Sequence, residues 1–190
     1  MKICGITSVD DARHAEAAGA DALGVILFSE SPRCVNLERA GEIFRSVGPF
    51  IMTVAVTHTR QRRDLNRVLA IHPGAIQISH PFNFPVRPAA RILRVVRPGG
   101  AVPTDADALV VDQSMGTGRH YDPDFAGGLV RESRAPVILA GGLTPENVAG
   151  AIRAVRPYAV DVASGVEVRP GVKDPEKVTA FINASRGAFP

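Results

Sequence analysis

The chain contains no tryptophan and only ten other aromatic residues, two tyrosines and eight phenylalanines, among its 190 residues. Aromatic platforms for stacking nucleic-acid bases are therefore scarce. Cysteine is equally rare: Cys4 and Cys34 are the whole supply. Two thiols make no disulfide framework, and without a Cys-x-x-Cys pair a structural zinc site is not expected. No apolar run reaches the roughly 18 residues of a membrane span. The first residues carry no basic, apolar leader, so the expected location is the cytoplasm and no membrane partner is expected. Charge of one sign is in slight excess, +3 at neutral pH with a sequence pI near 9.2. The basic residues are scattered apart from Arg60, Arg62 and Arg63, which read as a solvated helix face. Nucleic acid is not an expected partner, because binding it calls for clustered charge. A small anionic substrate suits this mild excess.

What is abundant is apolar sequence in short pieces. Hydrophobic residues make up 45% and charged residues 22%, the proportions of an ordinary globular protein. Runs of five to nine residues predict strands at Lys2–Ile6, Ala22–Phe28, Phe50–His58, Ala75–Ser79, Arg91–Val96, Ala108–Asp112, Pro136–Gly142 and Ala159–Gly165. Most are continuously apolar, as parallel strands covered on both faces are. Helical patterns lie between them. Val9–Ala18 follows the cap Ser8 and stops at Gly19. Leu37–Val47 follows Asn36, Arg60–Ile71 follows Thr59, and Asp124–Ser133 begins just after Pro123. Pro145–Val155 takes Thr144 as its cap, and Pro175–Ser185 takes Asp174 with Pro175 at the first helical position.

Eight strands alternating with helices predict one (β/α)8, or TIM, barrel over residues 1–190, at the short end for that fold. The shortfall has a location. Pro81, Pro85 and Pro88 make a full helix after the fourth strand improbable, and the Pro-Gly-Gly start at Pro98 leaves the next connection equally short. The fourth and fifth crossover helices are thus expected to be shortened or missing. An open, doubly wound sheet is the alternative architecture.

In such a barrel the chemistry gathers at the C-terminal strand ends and the loops after them. Those positions hold Cys4, the loop Ser29–Arg33, Ser79–His80, Asp112 with Gly116 and Gly118 beyond it, Gly141–Gly142, and Asp161 with Ser164, Gly165 and Glu167. Each has a plain reading. A strand cysteine is commonly a small core residue, an arginine after proline a solvated group, an aspartate at a strand end a cap, and paired glycines a turn. Together they suggest more. Glycine turns after strands six, seven and eight form the usual phosphate site of this fold. That leaves Cys4, Arg33 and Asp112 around the rest of the mouth as a candidate base, cation and acid.

The stretches KICGIT, GADALGVILFSESPRCV, VVDQSMGTGRHYD, VILAGGLTPENV and AVDVASGVEVRPGVKD resemble the phosphoribosylanthranilate isomerase family of tryptophan biosynthesis. The resemblance covers both ends of the chain in order and is weakest in the middle. It implies an Amadori rearrangement of N-(5′-phosphoribosyl)anthranilate to 1-(2-carboxyphenylamino)-1-deoxyribulose 5-phosphate, an aldose–ketose isomerisation needing neither cofactor nor metal. It implies Cys4 as general base, Asp112 as general acid, Arg33 as the anchor of the anthranilate carboxylate and Asp161 as a substrate contact. Gly116, Gly118, Gly141, Gly142, Ser164 and Gly165 are the expected phosphate-side contacts. The partner expected is this phosphorylated small molecule, with the chain a monomer or homodimer.

One stretch departs from the family. Where relatives commonly carry Gln-Leu-His-Gly at the end of strand four, this chain has Gln77-Ile78-Ser79-His80. Ungapped alignment puts Ser79 in the histidine's place, and both Ser79 and His80 stand as substrate-binding candidates. Two other functions stay open at this stage: the related aminoaldose isomerase of histidine biosynthesis, whose strand-one residue is generally aspartate, and a phosphate-binding barrel without catalysis.

Overall fold

A computed structural model describes residues 1–112 and 121–189. Eight parallel strands, β1 (Lys2–Cys4), β2 (Ala22–Leu27), β3 (Met52–Thr57), β4 (Ala75–Ile78), β5 (Arg91–Val96), β6 (Ala108–Val111), β7 (Val137–Leu139) and β8 (Ala159–Val162), close into a barrel in sequence order. The expected closed barrel is therefore present and the open sheet is not. Because side chains alternate along a strand, the core divides in two. Ile3, Leu23, Ala55, Ile76, Leu109 and Leu139 face outward into the layer shared with the helices. Cys4, Val54, Ala75, Val110 and Ala140 fill the barrel interior.

Among the described residues, six helices cover the outside: α1 (Val9–Ala18), α2 (Leu37–Arg45), α3 (Arg62–Leu69), α4 (Pro123–Glu132), α5 (Val148–Val155) and α6 (Pro175–Arg186). Their starts follow local chemistry. Ser8, Asn36, Asp122 and Asp174 each accept a hydrogen bond from a first-turn backbone N–H. Two starts lie later than the sequence predicts. The Thr59 hydroxyl accepts from Gln61 N at 3.0 Å and bonds Asp64, so it folds a turn ahead of α3 rather than capping it. Thr144 begins a turn, and regular helix starts only at Val148. No helix among the described residues is long and apolar enough to cross a membrane.

Apart from β5, which has the predicted bounds, the strands run shorter than predicted at their C-terminal ends. β7 ends at Leu139, ahead of Gly141 (φ 100°) and Gly142 (φ 64°), because left-handed backbone leaves the sheet. β8 ends at Val162, and Ser164–Val166 forms a short 3-10 turn. A hairpin, β9 (Glu167–Arg169) with β10 (Val172–Lys173), then precedes α6.

Neither connection flanking β5 contains a helix, as the prolines imply. Arg94, on the outward face of β5, organises what covers the bare strands. Its guanidinium donates to the Phe82 carbonyl at 3.0 Å, the His80 carbonyl at 3.1 Å and the Asp105 carboxylate at 2.5 Å. One arginine thereby ties both helix-free loops to the barrel wall. Phe82 joins the outer core, and the Arg62 guanidinium lies 5.3 Å from the centres of both the Phe82 and Phe84 rings. Replacing Arg94 by Met strands two carbonyls and a carboxylate. We expect a loss of about 2–3 kcal/mol, read from urea unfolding, with the pH-independent part surviving protonation of Asp105.

Candidate active site

A cavity of about 900 Å³ opens at the C-terminal ends of the strands. Of the residues singled out in the sequence, Cys4, Arg33, Asp112, Gly141, Gly142, Asp161 and Ser164 line it. Cys4 ends β1 and is 7% exposed. Asp112 follows the last residue of β6 and is partly buried. Its charge bears on His58 across the mouth and on Asp161.

Gly141 and Gly142 turn the chain at the cavity wall, so bare backbone lines it there. Asn147 fixes this loop, donating from Nδ2 to the Gly142 carbonyl and accepting from Thr144 N, both at 2.8 Å. Gly165 does not line the cavity. A Cβ there would overlap the Leu143 carbonyl oxygen, so its bareness lets the loop after β8 close against the loop after β7. Gly116 and Gly118 lie outside the described residues.

Ser79 and His80 also miss the cavity lining. β4 ends at Ile78, and the Ser79 hydroxyl is bonded to His58 Nδ1 at 3.0 Å. His80 sits outside with Arg60 Nε 3.4 Å from its Nε2. Val56 on β3, His58 just after it and Gln77 on β4 reach the cavity, and none of the three was singled out in the sequence. His58 could have been found from its place at a strand end. Burial, opposed by Asp112, holds its imidazole below the ordinary value, so the ring is neutral near pH 7.

Arg33 is held more tightly than a solvated arginine would be. Its Nε lies 2.9 Å from Glu167 Oε1 and one terminal nitrogen lies 2.7 Å from Oε2. Lys173, delivered by the β9–β10 hairpin, reaches Glu167 Oε1 at 2.8 Å and the Ala163 carbonyl at 3.1 Å. All three charged groups are buried. Burial works to raise the Glu167 carboxyl, but Arg33 and Lys173 outweigh it and hold the group below the usual carboxylate range. The linked stability is therefore present above the unfolded value of about 4.3 and is lost as pH falls through the lower folded value. Glu167→Gln is expected to lower stability by about 3 kcal/mol near neutrality, by leaving two buried cations without their anion. It should also flatten the dependence of melting temperature on pH between pH 5 and 3, on the order of one proton's linkage.

Lys2 is the second charged residue that sequence reading passed over. The parallel register sets Lys2 beside Asp161, and both side chains point into the barrel. Lys2 Nζ lies 2.6 Å from Asp161 Oδ2, with both residues buried. Asp161 Oδ1 has no hydrogen-bond partner among the described residues. Burial works to lower the Lys2 ammonium's pKa, but the Asp161 carboxylate and Cys4 sulfur outweigh it and hold it above its ordinary value. Burial pushes the Cys4 thiol up, while the Lys2 charge pulls it down.

A backbone-lined wall, a fixed guanidinium, a thiol and a carboxylate around one cavity suit acid–base work on a small anionic molecule. Comparison with known proteins agrees with that chemistry. The family model for N-(5′-phosphoribosyl)anthranilate isomerase matches residues 90–184. The N-(5′-phosphoribosyl)anthranilate isomerase of Methanoregula boonei is 58% identical over 99% of this chain and 97% of its own, and that of Pseudomonas aeruginosa strain LESB58 is 38% identical over 98% and 94%. Among solved structures, the phosphoribosyl anthranilate isomerase of Thermus thermophilus superposes with a TM-score of 0.85 at 33% identity, covering 98% of both chains. Another, a phosphoribosyl anthranilate isomerase in complex with reduced 1-(o-carboxyphenylamino)-1-deoxyribulose 5-phosphate, superposes with a TM-score of 0.80 at 29% identity, covering 98% and 97%. The chain belongs to the N-(5′-phosphoribosyl)anthranilate isomerase family.

Proposed function

We propose that this protein isomerises N-(5′-phosphoribosyl)anthranilate to 1-(2-carboxyphenylamino)-1-deoxyribulose 5-phosphate, with Cys4 as general base and Asp112 as general acid. The observation that carries this reading is the meeting of Cys4 and Asp112, from β1 and β6, in one cavity. The phosphate rests on the wall made by Gly141, Gly142 and Ser164. The anthranilate carboxylate takes the edge of the Arg33 guanidinium that Glu167 does not hold. Asp161 Oδ1, buried and unpartnered among the described residues, accepts from a sugar hydroxyl.

Asp112 gives its proton to the furanose ring oxygen as the C1–O bond breaks and the anilino nitrogen forms a Schiff base. The Cys4 thiolate then takes the C2 proton, leaving an enolamine. That enolamine gains a proton at C1 and loses the O2 proton, which gives the ketone. Substrate and product are isomers, so no electron acceptor enters.

Incubating the purified protein with the aminoaldose and following the reaction by proton NMR tests this. The anomeric C1 signal should vanish as a C1 methylene appears. Saturable binding with no such conversion would favour a barrel that holds the ligand without acting on it. Preferential turnover of the histidine-pathway aminoaldose would overturn the substrate assignment.

A further inference from the structure

Lys2 takes no part in the scheme above, yet it is a buried cation in the barrel interior on the same strand face as the proposed base. A barrel core needs no ion pair. Apolar side chains usually fill it, and a buried pair is often no more stabilising than its apolar replacement. The small side chains Ala75, Ala108 and Ala140 belong to the same interior cluster as Cys4.

The register supplies a second observation. Cys4 pairs with Gly24 on β2. A Cβ built on Gly24 would lie 2.7 Å from Cys4 Sγ and 3.1 Å from Lys2 Nζ. Thiol and ammonium therefore flank one small space, which a glycine keeps open. Lys2 is tethered from its other side by Asp161 Oδ2.

We propose that Lys2 is a positioning residue of the reaction, whose ammonium, anchored by Asp161 and admitted by Gly24, stabilises the thiolate of Cys4 against the burial that opposes it. The inference deepens the reading of Cys4 as base and rests on it. Other charges face the sulfur too. Asp161 on β8 opposes the thiolate, and Lys173 on β10 favours it from further off, engaged by Glu167 and the Ala163 carbonyl. Arg33, after β2, also senses the Cys4 charge, and Asp112, after β6, acts on Asp161. Lys2 is the foremost of the cations holding the thiol down against burial.

The opposed signs make a sharp test. Cys4 is alkylated with iodoacetamide across pH in a Cys34→Ser background, without substrate, and the apparent thiol pKa is read from the rate. Lys2→Met should raise that pKa by about one unit or more, slowing alkylation at pH 7 about tenfold, since the thiolate is the reacting form. Lys2→Arg should stay near the parent. Asp161→Asn should shift the pKa down, because the ammonium then has the thiolate as its nearer counter-ion. Gly24→Ala should raise it by pushing the two groups apart. A pair that only braces the barrel would lower the melting temperature in all these variants and leave the thiol titration where it was. Unchanged titration in folded Lys2→Met overturns the proposal. Should that variant fail to fold, unchanged titration in both Asp161→Asn and Gly24→Ala overturns it equally. The acid limb of kcat/KM should follow the alkylation pKa to higher pH in Lys2→Met. If alkylation shifts as expected while Cys4→Ala keeps full turnover, the base assignment falls and the electrostatic link from Lys2 to Cys4 stands.

Discussion

Cys4→Ala is expected to lower kcat by about 10²- to 10⁴-fold, the range that removing a general base commonly produces. KM should move little, because the residues proposed to hold phosphate and carboxylate, Gly141, Gly142, Ser164 and Arg33, are untouched. The loss should not be an unfolding effect. The side chain is small, and deleting one sulfur from the barrel interior costs about 1 kcal/mol. Cys4→Ser separates chemistry from packing. It preserves the volume, but a hydroxyl ionises far less readily than a thiol, so it should be about as slow as the alanine variant. A serine variant with a tenth or more of the parent kcat would show that sulfur is not the base. In the parent protein, kcat/KM should rise with pH through the Cys4 titration, since the base must be deprotonated. Burial places that limb above, and Lys2 draws it back toward, the ordinary thiol value.

Asp112→Asn carries the second large effect, again about 10²- to 10⁴-fold in kcat. The amide keeps the shape of the carboxyl and can donate a hydrogen bond, but it cannot deliver a proton to the ring oxygen. Without that proton the furanose does not open, and the later abstraction at C2 has no substrate. The Cys4→Ala/Asp112→Asn double variant should therefore be about as slow as the slower single variant, because the two groups serve one sequence of steps. A product analogue should bind both single variants within about threefold of the parent, since the lesion lies in proton transfer and not in ground-state contacts. Full multiplicative loss in the double variant would indicate independent roles and count against the scheme. Retention of kcat in Asp112→Asn would remove Asp112 from it.

Much of this architecture could be read from residue order. The continuous apolar runs marked eight strands, and Pro81, Pro85 and Pro88 marked the missing helix. The substitute cover could not be read, because it depends on Arg94 reaching two loops at once. In sequence, an arginine in the middle of an apolar run is simply an interruption. The β9–β10 hairpin escaped for a similar reason. Its strands are three and two residues long, too short for a periodic pattern, and it matters because it brings Lys173 under Glu167.

Strand four shows a further kind of miss. The departure at Ser79–His80 was visible, but its outcome was not. His58, 21 residues earlier, reaches the cavity and bonds Ser79. Adjacent parallel strands bring such residues together, and nothing local to either segment encodes that contact.

By itself the sequence determined the barrel, its two helix-free connections and the residue types at the strand ends, because periodicity, proline and strand-end position are local properties of the chain. Tertiary structure alone decided what surrounds the thiol. Lys2, two residues before Cys4, shares its face of β1 by simple alternation. Only barrel closure sets β1 against β8, so that Lys2 meets Asp161, and the parallel register with β2 places Gly24 where it leaves space for ammonium beside sulfur. Electrostatic environment is a sum over neighbours from distant parts of the chain, and it exists only once the strands are in register.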